Sequence, residues 1–120
     1  MLREATRILS NPESVRKWLL LQPAHAKVGT ACPSKGQVCP LAHFLQDSTE
    51  ISWIVWMYVC WPECGRKAVY YMPEWAIRDV RCTDFGGYHA VSRKEALTNL
   101  DRALALCTSA GLFDGDETKE

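Results

Sequence analysis

The ten residues Ile51-Ser52-Trp53-Ile54-Val55-Trp56-Met57-Tyr58-Val59-Cys60 constrain the fold more than any other part of the chain. Aromatic and β-branched side chains dominate them, the types that suit a pleated, partly buried surface. The odd positions Ile51, Trp53, Val55, Met57 and Val59 form an unbroken apolar face. The even positions Ser52, Ile54, Trp56, Tyr58 and Cys60 are apolar enough to be largely covered as well. Apolar residues on both faces predict one inner strand, Ile51 to Cys60, at the centre of a small sheet. The longest continuous apolar run, Trp53 to Trp61, is nine residues. A bilayer-spanning helix needs about 20, so no membrane span is expected. Trp61-Pro62-Glu63-Cys64-Gly65 reads as a turn. Lys67 to Tyr71 then reads as the returning strand, and Tyr88 to Val91 as a third strand or extended chain.

Helical signals surround this sheet. Leu2, Ala5 and Leu9 share one face of a short first segment that stops before Pro12. Ser10 or Asn11 caps the next helix, with Pro12 in its first turn and Glu13 at the positive end of its dipole. That helix runs to about Gln22, with Val15, Trp18 and Leu19 inward and Leu21 or Gln22 at the core edge. Residues 23 to 37 read as a loop holding Gly29, Pro33, Ser34 and Gly36. Pro40 to Asp47 is helical, with Leu41, Phe44 and Leu45 on one face. Pro73-Glu74-Trp75 starts another helix, with Trp75, Val80 and Cys82 inward, which Gly86-Gly87 ends. Ser92 and Glu95 form a capping box for the last helix, which carries Leu97, Leu100, Leu104 and Cys107. The expected fold is α+β: four to five helices packed on a small antiparallel sheet centred on residues 51–60. One globular domain should span 1–113, and the acidic tail 114–120 is expected to be disordered.

Lys plus Arg and Asp plus Glu are both 14, so the formal charge is zero. Such a chain lacks the long-range field that draws proteins onto nucleic acid or anionic membranes, so neither partner is expected. Near-neutral charge also gives little colloidal repulsion, which points to another protein or to a homo-oligomer as the partner. Met1-Leu2-Arg3-Glu4-Ala5 does not open a secretory signal. The expected location is therefore cytoplasmic, with the six cysteines as thiols.

Three constellations could carry chemistry. Cys32, Cys39, His43, Cys60 and Cys64 are the residue types that hold zinc. Their Cys-x6-Cys and Cys-x3-Cys spacings lack the two-residue knuckle of a zinc motif, so no cofactor is expected and zinc is the alternative. Cys39 precedes Pro40 at a helix start, where the dipole favours thiolate. His43 lies one turn on, and Cys39 with His43 is the minimum for nucleophilic catalysis. No third orienting group is identifiable, so the chain reads as non-enzymatic, with Cys39 the fastest-reacting thiol and Cys82 and Cys107 slow. The third set is aromatic: Trp53, Trp56, Tyr58, Trp61, Tyr70, Tyr71 and Trp75. Ile51 to Trp61 contains no basic residue, which argues against base stacking. Core packing takes most of these rings, and Trp56, Tyr58 and Trp61 are candidates for a protein-binding patch. His25 and His89 read as polar surface or edge residues. Glu74, Asp79 and Asp84 read as solvated helix faces.

Val28-Gly29, Cys39-Pro40-Leu41-Ala42 with Leu45, Pro73-Glu74-Trp75-Ala76 and Ser92-x-x-Glu95-Ala96-Leu97 together resemble a loose group of small bacterial and phage-borne proteins. The resemblance spans about residues 28 to 105. It implies a bacterial or mobile-element origin and brings no activity and no site residue with it. The expected function is a small intracellular protein-binding or regulatory module without catalysis. The alternatives are a zinc- or thiol-dependent module using Cys39 and His43, and a small cysteine-dependent enzyme.

Overall fold

A computed structural model describes residues 7–31, 39–64, 69–85 and 87–109. Residues 7–9 are helical and lead into α1 (Pro12–Leu21), followed by β1 (Lys27–Ala31), α2 (Pro40–Thr49), β2 (Trp53–Trp56), β3 (Val59–Pro62), β4 (Tyr70–Tyr71), α3 (Glu74–Asp84), β5 (His89–Ser92) and α4 (Arg93–Ser109). The strands form two antiparallel sheets, β1-β5 and β2-β3-β4. The architecture is α+β, with helices packed on a small sheet built from the 51–60 region. The segment before residue 7 and the acidic tail lie outside the described residues.

Each helix follows from local chemistry. The Asn11 side chain accepts a 2.9 Å hydrogen bond from the Glu13 amide at the start of α1, and Pro12 occupies the first turn. Val15 and Leu19 are buried, whereas Leu21 projects into solvent. Trp18 packs edge-on against Phe44, with ring centroids 5.7 Å apart, and its indole donates to Asp47 on α2 at 2.8 Å. On α3 the buried positions Trp75, Ala76, Asp79, Val80 and Thr83 recur at helical spacing. The Trp75 indole donates to the Leu9 carbonyl at 3.1 Å, tying α3 to the chain's first described turn. On α4 the buried residues are Ala96, Asn99, Leu100, Ala103 and Cys107, with Leu97 and Leu104 half-buried beside them. Arg16 on α1 pairs with Asp101 on α4 at 2.7 Å.

Three expectations are corrected. The region 51–60 is not one strand. It folds back on itself, with Trp53↔Pro62, Ile54↔Trp61, Val55↔Cys60 and Trp56↔Val59 as cross-strand partners around a turn at Met57 and Tyr58. No glycine, asparagine or proline marks that turn. Met57 makes it by taking φ 39°, in the left-handed region. The 61–65 stretch is accordingly part strand: Trp61 and Pro62 belong to β3, which also pairs with β4 through Val59↔Tyr71 and Cys60↔Tyr70. Finally, the 23–37 loop contains β1, which pairs with β5 across a bulge between Lys27 and Gly29. Gly29 permits this because a Cβ there would sit 2.6 Å from the Pro40 nitrogen and 2.9 Å from the Cys39 carbonyl carbon. The bare backbone lets β1 lie against the first turn of α2.

Candidate functional site

Cys39 does cap α2, but its thiol makes no side-chain capping bond and is only 6% exposed. A helix start favours thiolate, and desolvation opposes it. Desolvation wins here: burial pushes the Cys39 thiol up to about 12, with the Ala42 and Leu41 backbone pulling the other way and Asp79 adding to the rise. Burial and the neighbouring Cys39 hold Cys60 at about 12 as well. Cys39 is therefore a buried core thiol, and desolvation outweighs the helix start that favours thiolate. The His43 amide donates to the Cys39 carbonyl at 3.1 Å. The His43 residue lines a cleft of about 320 Å³ with Trp18, Gln22, Lys27 and Asp47. Among the described residues, Cys39 is not in that lining.

Of the wider ligand set, Cys39 and Cys60 are neighbours in the core. Among the described residues no three His, Cys, Asp or Glu side chains are grouped to hold a metal ion. Cys60 is buried with Cys39, Cys64 is exposed, and Cys32 lies outside the described residues. Asp79 is also not the solvated residue expected. It is 7% exposed, and burial pushes its carboxyl up to about 7. His89 has a defined role instead of a surface one. Its Nδ1 lies 2.7 Å from the Gly87 carbonyl and its Nε2 2.5 Å from Glu95. Two acceptors favour the imidazolium, and the hydrogen bond to Glu95 leads in raising its pKa. The Glu95 carboxylate thus serves His89, while the Glu95 amide donates the capping hydrogen bond to the Ser92 hydroxyl oxygen at 3.1 Å.

The aromatic set divides at the β2–β3 hairpin. Trp53 is 1% exposed, and its indole donates to the Thr49 hydroxyl at 2.8 Å. Trp61 is 9% exposed and belongs to the buried residues, which removes it from the binding patch. Trp56, Met57 and Tyr58 are 45%, 52% and 48% exposed and stand together at the hairpin tip. Tyr71, opposite Val59, is also exposed and extends the surface along β4. The tip is held in place from two sides. The Met72 amide donates to the Tyr58 carbonyl at 2.9 Å. The Arg81 guanidinium lies 5.4 Å from the Tyr58 ring centroid, and its Nη2 donates to the phenol oxygen at 3.2 Å.

Sequence reasoning reached Trp56 and Tyr58 but missed Met57 and Arg81. Met57 reads as one more strand residue, and Arg81 sits 23 positions from the ring it touches. No periodicity relates the two. No protein-family model, curated protein or solved structure matches the chain.

Proposed function

We propose that this chain is a small protein-binding module that docks through the hairpin tip and performs no catalysis of its own. The observation that carries this reading is the exposed Trp56-Met57-Tyr58 tip, built on a left-handed methionine and braced by Arg81. A large apolar side chain in solvent contributes nothing to the core. A backbone conformation that disfavours any side chain, kept at such a position, is the kind of local strain associated with function. Trp, Tyr, Met and Arg are the residue types enriched at protein interfaces. Unbridged thiols suit a reducing compartment, and Cys60, Cys64 and Cys82 are unbridged among the described residues, so the partner is sought inside the cell. The buried Cys39 gives the thiol-dependent reading no support.

The test is comparative co-purification from the producing cells. Wild type, a Trp56→Ser/Tyr58→Ser variant and a Leu21→Ser control are compared, because Leu21 is also exposed but lies on α1. A protein retained by wild type and control and lost by the double variant supports the reading. Equal retention by all three, with the double variant still folded, overturns it.

A further inference from the structure

We propose that the hairpin tip and the adjoining end of α3 receive an acidic peptide segment carrying apolar side chains, with Arg81 and Arg102 supplying the charge that selects it. This rests on the protein-binding reading above and adds the chemistry of the partner. Arg81 links two surfaces. On one side it lies against Tyr58 at the tip. On the other it lines a cavity of about 290 Å³ with Cys82, Phe85 and Arg102. Phe85, at the end of α3, is 89% exposed. The result is a run of apolar side chains, Trp56, Met57, Tyr58 and Phe85, interleaved with two guanidinium groups.

The charges decide which occupant fits. Among the described residues no carboxylate lines the cavity, and neither Arg81 nor Arg102 makes an ion pair. The neighbouring arginines are already engaged. Arg16 reaches Glu13 and Asp101. Arg78 lies 3.0 Å from Glu74, in a geometry that leaves its Nε without a hydrogen bond. Asp79, the acid of α3 nearest the core, is buried and offers the surface little negative charge. A guanidinium presents a planar fork that matches a carboxylate, so two of them beside apolar side chains select an acidic, apolar segment. A second copy of the chain fits less well. Two-fold pairing sets a patch against itself, which brings the arginines of one copy toward those of the other, at a cost in like-charge repulsion.

The experiment selects a random dodecapeptide display library on the immobilised full chain, on Arg81→Gln/Arg102→Gln and on Trp56→Ser/Tyr58→Ser. Peptides selected on wild type should be enriched in Asp and Glu beside Leu, Phe or Trp. A selected peptide, made synthetically, should bind roughly threefold to tenfold more weakly to the arginine variant, as expected for losing two partly exposed charge pairs. It should also bind wild type more weakly in high salt. Uncharged or basic selected peptides, or an arginine variant that binds equally well, overturn the proposal. If those same peptides are still lost with Trp56→Ser/Tyr58→Ser, the protein-binding reading survives and only the acidic partner falls. A wild-type dimer that the tip variant disperses shows that a second copy covers the face and overturns the proposal. So does an oligothymidine dodecamer that binds as tightly as the selected peptides.

Discussion

At the tip of the hairpin a methionine holds a conformation that favours glycine. Left-handed backbone costs an L-residue about 1–2 kcal/mol, whereas glycine in regular structure costs about 0.5–1 kcal/mol in entropy. Met57 is at φ 39° and half exposed, so little packing is lost with its side chain. Met57→Gly is therefore expected to stabilise the fold by up to about 1 kcal/mol, read as a higher melting temperature. A lower melting temperature would show that the methionine is there for the fold and not for a partner. Thiol reactivity separates the cysteines in the same local way. Cys64 is exposed, and Cys39 and Cys60 are buried with thiols held near 12. Of these three, Cys64 should react first with a maleimide at neutral pH, and the other two only on unfolding. Prompt labelling of Cys39 in the folded protein would contradict its burial. The sequence placed Cys39 at a helix start correctly, yet the dipole argument misled, because burial depends on what packs over the thiol. Asp79 was misread for the same reason: its own helix looks amphipathic, and only the packing against α4 shows that it faces inward.

Among the elements, those with long apolar periods were legible and those that depend on a distant partner were not. α4 was readable from Leu97, Leu100, Leu104 and the Ser92 cap, and Leu100 is fully buried. Leu100→Ala should cost about 2–5 kcal/mol in chemical denaturation, and a value near zero would place the helix outside the core. The same pattern mis-weighted its neighbours. Ala96 and Ala103 are more buried than Leu97 and Leu104. β1 was hidden because Lys-Val-Gly-Thr-Ala has no aromatic residue and its glycine reads as a breaker. That glycine is needed for contact with α2, through the 2.6 Å approach to Pro40. Both obstructing atoms nearest the new Cβ are backbone, so nothing can rotate away. Gly29→Ala should accordingly cost about 1–3 kcal/mol, the range for overpacking. Unchanged stability would mean that β1 can shift away from α2 freely. The hairpin was half legible: its apolar composition located the sheet, but only tertiary pairing shows where the chain reverses.

The molecule as a whole should lose stability as pH rises, against the common pattern in which paired carboxylates make acid the destabilising direction. Burial holds the Asp79 carboxyl at about 7 in the folded state, against about 3.9 in an unfolded chain. Between those values the folded state keeps a proton that the unfolded state has released. Stability therefore falls with rising pH, by about 1.4 kcal/mol per pH unit as an upper bound, and levels off above about 7. The thiols of Cys39 and Cys82, which interact with Asp79 electrostatically, are themselves raised and stay neutral across this window. Asp84 is raised too, chiefly by burial and against the pull of His89, and acts in the same direction. His89 is raised by Glu95, so its contribution is complete below the ordinary histidine value and disappears as pH climbs through the higher folded one. The melting temperature is expected to be lower at pH 8 than at pH 5. Asp79→Asn should approach wild type as pH falls below about 3.9, where the carboxyl becomes protonated in both states, and exceed it near pH 8. His89→Gln should flatten only the upper part of the curve. If Asp79→Asn keeps the full wild-type slope between pH 4 and 7, Asp79 is ionised in the folded protein, and α3 and α4 must part far enough there to admit water.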